Sequence, residues 1–189
     1  MVAMRVQIIG LGNVGFTTAL LLLNKNIDEI VLYDKDRTKT IYQYYELYTI
    51  NKLVSGDCKL ISADCIVNAD VYVISAGLSR RDTSQTRESL YEENKKIIHE
   101  ICEKIMFINQ FAFIIIATNP PTELCKTCLE YVPRVIPAGL ETDSIENSII
   151  KKNKHEGYII DVGDYVFSHK GYTVSVAGEI VKIIESLRF

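Results

Sequence analysis

The sequence has little from which to build a polyanion-binding surface or a membrane anchor. Its 21 Lys and Arg against 24 Asp and Glu leave a formal net charge of −3. No basic run gathers, so the field that draws nucleic acid to a protein is missing. The apolar stretch 16–23 is far shorter than the roughly 20 residues that span a bilayer. It also lacks a small-residue cleavage site, and it reads as a helix buried on a sheet in a cytoplasmic protein. There is no repeat, low-complexity tract or long linker. The five cysteines, Cys58, Cys65, Cys102, Cys125 and Cys128, are odd in number and scattered, which reads most simply as reduced thiols. Cys125-Lys-Thr-Cys128 has CxxC spacing, but no second Cys or His pair stands nearby to complete a zinc site, and no metal is expected. The 189 residues, 48% hydrophobic and 24% charged, suit one core plus a small appendage, not two full domains.

What is present is concentrated near the start. An apolar run at 5–9 breaks at Gly10-Leu11-Gly12-Asn13-Val14-Gly15, and a helical pattern follows over 16–24. This reads as strand, glycine turn and helix. One glycine makes the tight turn, one lets a pyrophosphate approach the backbone, and one lets helix and strand pack closely. Amides at the helix start then face the phosphates. A second apolar run, 30–33, ends in Asp34, roughly 20 residues beyond the last glycine, where a carboxylate accepts hydrogen bonds from an adenosine ribose. A phosphate on that ribose would be repelled, so the cofactor expected is NAD and not NADP.

Beyond Asp34, residues 38–54 show helical spacing and carry Tyr42, Tyr44, Tyr45 and Tyr48. Those tyrosines admit an oligomer face, with cover for a core edge as the commoner use of such residues. Residues 59–62 read as a short strand and 69–77 as a buried strand entering a glycine turn. The polar stretch 78–86 reads as a loop. Leu90, Ile97, Ile98, Ile101 and Ile105 mark one face of a long helix. A buried strand at 112–118 meets Asn119-Pro120-Pro121, where the prolines can only restart a helix. Alternation of this kind makes a right-handed, doubly wound α/β parallel sheet. Its ligand lies at the carboxyl ends of the strands, beside Gly10, Asp34, Gly77 and Asn119. Near the C-terminus, 172–177 reads as a strand pairing with 158–162, and 179–187 as a helix.

Taken in order, several segments resemble the lactate and malate dehydrogenases, NAD-dependent enzymes of 2-hydroxy acids. They are Gly10-Leu-Gly-Asn-Val-Gly15, Tyr33-Asp34, Ala69-Asp-Val-Tyr-Val-Ile-Ser-Ala-Gly-Leu78, Arg87 seven residues before Asn94, Thr118-Asn-Pro120, Arg134-Val-Ile136, Thr142-Asp-Ser144 and His169. The resemblance implies a Rossmann domain over 1–138 and a small, truncated α+β remnant of the substrate domain over 139–189. It implies that NAD is held by Gly10, Gly12, Asn13, Val14, Gly15, Asp34, Ala76, Gly77, Asn94, Thr118 and Asn119. His169 corresponds to the catalytic base, Asp143 to the carboxylate that orients it, and Arg87 to the loop arginine that polarises the substrate carbonyl. Asn119 stands beside nicotinamide and substrate. Arg80 or Arg81 would hold a distal carboxylate, which favours malate and oxaloacetate. A homo-oligomer is implied too, since family dimers and tetramers use the helix at 38–54.

Each catalytic assignment has a structural alternative. His169 is followed by Lys170-Gly171 where the family has Gly-Asp, which suits a surface histidine. Asp143 also suits a helix cap, and Arg80-Arg81 a solvated charge pair. The family's substrate-gripping arginine is replaced by Glu146. Losing that charge-assisted pair costs roughly 1.5 to 3 kcal/mol, and facing carboxylates add roughly 4 kcal/mol at an effective dielectric near 20. The sum is about four or five powers of ten in transition-state binding, unless Lys151, Lys152 or the helix register compensates. Two readings follow: an NAD-dependent oxidoreductase of malate or lactate type, or a non-catalytic NAD-binding protein acting as a sensor or partner subunit. A third is an interaction module whose glycine loop binds nothing.

Overall fold

A computed structural model describes residues 4–78, 86–139, 160–162, 165–167 and 171–187. Strand β1 (Arg5–Ile9) leads into α1 (Asn13–Leu22), β2 (Glu29–Tyr33), α2 (Arg37–Leu53), β3 (Lys59–Ser62) and β4 (Val71–Ile74). The second half continues with α3 (Arg87–Asn109), β5 (Phe113–Ile116), α4 (Pro121–Leu129) and β6 (Val135–Pro137). All six strands pair in parallel in the order β3-β2-β1-β4-β5-β6. This bears out the α/β, doubly wound expectation. The order reverses beside β1, and the crevice at that switch point is where such sheets take ligands.

Both faces of the sheet are covered, so its strands are apolar throughout instead of alternating. On one face Val6, Ile8, Ile30, Leu32, Val71 and Val73 pack with Leu20 and Leu22 of α1. On the other, Ile9, Tyr72, Ile74, Ile114 and Ile116 pack with Ile98, Cys102 and Ile105 of α3 and Leu124 and Cys128 of α4. Gln7, fully buried, ties down the loop ahead of β4: its amide donates to the Cys65 carbonyl (3.0 Å), and its oxygen accepts from the Val67 N–H (2.9 Å).

Helix starts follow local chemistry. Asp36 caps α2 by accepting from the Lys39 N–H (3.1 Å), and Thr86 caps α3 by accepting from the Ser89 N–H (3.1 Å). Pro121 opens α4, where its missing N–H has no intrahelical partner to lose. The tyrosines of α2 divide. Tyr44 packs against the core, but Tyr42, Tyr45 and Tyr48 are 72%, 62% and 43% exposed, so most of them do not cover a core edge.

Three expectations are corrected. Residues 172–177 are not a strand but the first turns of one helix, α5 (Gly171–Ser186). Val174 and Val176 alternate like a strand, yet with Ala177, Ile180, Val181 and Ile184 they make a continuous buried helical face. The strand β7 (Ile160–Val162) consequently pairs with β8 (Tyr165–Phe167), antiparallel, and not with 172–176. The cysteines are not all reduced: Cys102 on α3 and Cys128 on α4 form a disulfide, because the two helices on either side of β5 dock side by side. Cys128 is thereby unavailable to Cys125, and burial pushes the Cys125 thiol up to about 12. The CxxC is not a paired unit, and among the described residues no group of three His, Cys, Asp or Glu is placed to hold a metal.

Helix α5 shares the apolar cluster of α1 through Val176, Ile180, Val181 and Ile184. Lys25, just past α1, pairs with Glu185 near the end of α5 (3.2 Å). At the opposite edge of the sheet, Glu179 accepts a hydrogen bond from the Gly139 backbone. Burial pushes the Glu179 carboxyl up, against the pull of that hydrogen bond and of Lys182. These two ties make α5 run in the same direction as α1. Among the described residues no helix is long and apolar enough to cross a membrane.

Candidate functional site

At the carboxyl edge of the sheet the three glycines of the first turn meet different surroundings. Gly10 has φ +93°, and a Cβ there would strike the Ala76 backbone, so both the conformation and the close approach demand glycine. A Cβ on Gly15 would strike the Gly10 carbonyl and lie 2.6 Å from Ser75 Oγ, whose hydroxyl donates to that same carbonyl (2.7 Å). Gly12 is the reverse case: a Cβ there meets nothing within 4 Å. It is the N-cap of α1 with no side chain to cap it. The first-turn N–H groups, on Asn13, Val14 and Gly15, therefore have no intrahelical acceptor and stand at the positive end of the helix.

Asp34 follows β2 and lines the same cleft as Gly10 and Gly12. Its carboxylate accepts from the Leu11 N–H (2.7 Å), the Asp36 N–H (3.0 Å) and the Lys39 ammonium (3.2 Å). Burial works to raise its pKa, but those donors together outweigh it and hold the carboxyl below its usual range. It is an anion at neutral pH, positioned by the glycine turn itself.

The turn after β4 is pinned from two sides. Asn94 of α3, fully buried, accepts from the Leu78 N–H (2.7 Å) and donates to the carbonyls of Leu78 (3.2 Å) and Asn119 (2.8 Å). The Thr118 hydroxyl donates to the Ala76 carbonyl (2.8 Å). A Cβ on Gly77 would strike Thr118 Cγ2 and lie 3.0 Å from Asn94 Oδ1. The polar atoms of Asn94 and Thr118 thus face backbone groups and shape the turn. Ala76 and Gly77 themselves line the cleft, whose volume is about 430 Å³.

Several cleft residues were not singled out from the sequence. Ile66, Ile97 and Ile101 form its apolar wall, with Lys35, Lys39, Glu100 and Lys104 around it. Ile97 and Ile101 share the helical stripe of Ile98 and Ile105 and pack with the core as that stripe implies, and their side of it also lines the cleft. Lys39 carried a usable signal, lying five residues after Asp34 in the first turn of α2. Asn119 follows β5 at the same edge of the sheet, and Arg87 is the first residue of α3. Arg80, Arg81, Asp143, Glu146 and His169 lie outside the described residues.

A parallel sheet in this strand order, with a glycine turn and an acid at its switch point, is the architecture of Rossmann-type domains. The family profile for "lactate/malate dehydrogenase, NAD binding domain" matches residues 4–134. The chain is 32% identical over 131 residues to L-lactate dehydrogenase of Salinibacter ruber, covering 68% of this chain and 42% of that protein. It is 33% identical over 129 residues to malate dehydrogenase of Thermomicrobium roseum, covering 67% and 41%. Among solved structures, malate dehydrogenase of Cryptosporidium parvum superposes with TM-score 0.67 at 26% identity, over 73% of this chain and 46% of that one. Malate dehydrogenase of Archaeoglobus fulgidus, solved with NADH, gives 0.67 at 25% identity, over 72% and 49%. The chain belongs to the lactate/malate dehydrogenase family. It spans less than half the length of these two curated relatives, and the near-equal identities do not separate lactate from malate.

Proposed function

We propose that the protein holds NAD(H) in the cleft between Gly12 and Asp34. As an oxidoreductase of malate or lactate type, it transfers hydride between that cofactor and a 2-hydroxy or 2-oxo acid, malate and oxaloacetate favoured. The observation that carries the reading is the open space at Gly12, the one glycine of the turn where a Cβ would meet nothing. Gly12 caps α1 without a side chain, so the amides that follow it have no intrahelical acceptor, and an anionic Asp34 lines the same cleft as Gly12. These residues fit a dinucleotide: the amides of Asn13, Val14 and Gly15 bind the diphosphate, Asp34 accepts from the adenosine ribose, and Ile66, Ile97 and Ile101 take the adenine. Bound nicotinamide supplies the hydride acceptor or donor. Asn94 and Thr118 hold the Ala76-Gly77 turn in place, and Asn119 faces the reacting end. Arg87, with Arg80 or Arg81, holds and polarises the oxo acid, and His169, oriented by Asp143, exchanges the hydroxyl proton. The exposed face of Ile41, Tyr42, Tyr45 and Leu53 on α2 supports a homo-oligomer.

Glu146, standing where the resemblance calls for a substrate-binding arginine, favours a second reading: an NAD(H)-binding protein without turnover, acting as sensor or partner subunit. A screen of 2-oxo acids, followed by loss of NADH absorbance, separates the two. The first reading expects NADH oxidation, strongest with oxaloacetate and abolished in His169→Ala. NADH binding without oxidation of any oxo acid establishes the second.

A further inference from the structure

Asp34 reads from the sequence as an acid that excludes a phosphorylated ribose. In the folded chain it does not stand alone. A carboxylate offers about four lone-pair sites, and three are already taken, by the N–H groups of Leu11 and Asp36 and by the Lys39 ammonium. One remains for two ribose hydroxyls. Lys35 lines the same cleft, but Lys39 is the ammonium that meets the carboxylate. The Asp34 side chain is 12% exposed and that of Lys39 37%, so the lysine is the more accessible partner of the pair in the cleft that both line.

We propose that Lys39 is a cofactor-specificity residue: by neutralising Asp34 and presenting its ammonium to the adenosine ribose, it lets the cleft accept a 2′-phosphorylated dinucleotide beside the unphosphorylated one. The inference rests on the reading of the cleft as a dinucleotide site. A 2′-phosphate brings nearly two negative charges. Against Asp34 alone these are repelled, whereas Lys39 neutralises that carboxylate and offers its ammonium to the phosphate. Removing Lys39 removes that attraction and returns to Asp34 a lone pair for the ribose, so the two cofactors respond in opposite directions.

The test is titration of the full chain with NADH and NADPH, followed by nicotinamide fluorescence, in wild type and in Lys39→Met, which keeps the aliphatic stem and removes the charge. In wild type the NADPH Kd lies within about tenfold of the NADH Kd. In Lys39→Met the ratio of the two rises by about tenfold or more, NADPH weakening and NADH tightening slightly. A thermal melt unchanged from wild type shows that the variant is folded. Wild type rejecting NADPH by about a hundredfold or more, or a ratio unmoved by Lys39→Met, overturns the role of Lys39 while NADH binding still stands. If neither dinucleotide binds, the reading of the cleft falls and this inference with it.

Discussion

The two edges of the same parallel sheet are finished in opposite ways. At the amino edge, charge closes the structure: Glu29 is held between Arg5 and Lys59, with its Lys59 contact at 2.6 Å. Asp70 accepts from the Arg5 N–H (2.8 Å) and Asp28 from the Met4 N–H (2.6 Å). At the carboxyl edge, glycine and short polar side chains do the finishing. Ser75, Asn94 and Thr118 bond to backbone carbonyls of the loops, and the space above Gly12 stays open. One edge commits its polar groups to folding. The other fixes its loops from behind, leaves the first-turn amides of α1 without an intrahelical acceptor, and sets Asp34 in the wall of a cleft.

The largest expected effect tests the packed part of the carboxyl edge. Gly15→Ala drives a methyl into the Gly10 carbonyl and Ser75, and overpacking against backbone costs about 3 kcal/mol. The urea midpoint falls sharply, and an unchanged midpoint would mean that this turn is looser than described. A smaller effect is expected at the amino edge. Glu29→Gln releases two cations that are 42% and 70% exposed and costs about 1 to 2 kcal/mol at neutral pH, with no change in NADH affinity. Burial raises the Glu29 pKa, but Lys59 and Arg5 more than reverse this, so the folded value lies below the unfolded one. Its contribution is complete above the unfolded pKa and disappears as pH falls through the folded one. Wild type and Glu29→Gln should therefore converge in urea stability as pH falls below the ordinary carboxylate range and through the lowered folded value. A gap that persists in acid would show that the carboxylate charge is not the source.

Most of the fold is legible in the sequence where hard sterics or strong periodicity decide it. Gly10 and Gly15 admit no side chain, the apolar strands have no helical period, and Pro121 can only begin a helix. What was misread depends on packing between distant segments. Val174 and Val176 alternate like a strand until α1 offers a partner for a helical face. Cys102 and Cys128 become neighbours only once α3 and α4 dock. Short β6, ending in Pro137, carries too little pattern to be seen as a strand, and only the edge of β5 reveals it. At the site, Gly12 and Asp34 are legible because their spacing is a backbone requirement. Asn94 and Thr118 stand at the carboxyl edge of the sheet, but their polar atoms turn to the backbone. Lys39 carries a local signal, its place in the first turn of α2 five residues after Asp34, but its pairing with that acid shows only in the folded chain.

The most direct test of the central claim is calorimetric titration with NADH of wild type and of Gly12→Asp. This substitution has room for its side chain and therefore leaves thermal stability near wild type. It adds a carboxylate where the account puts the diphosphate, and repulsion of roughly 4 kcal/mol, the value for unit charges about 4 Å apart at an effective dielectric near 20, lowers affinity about a thousandfold. The account predicts saturable binding to wild type and no measurable heat with Gly12→Asp. Equal binding by the two proteins, or none by wild type at millimolar NADH, would contradict it.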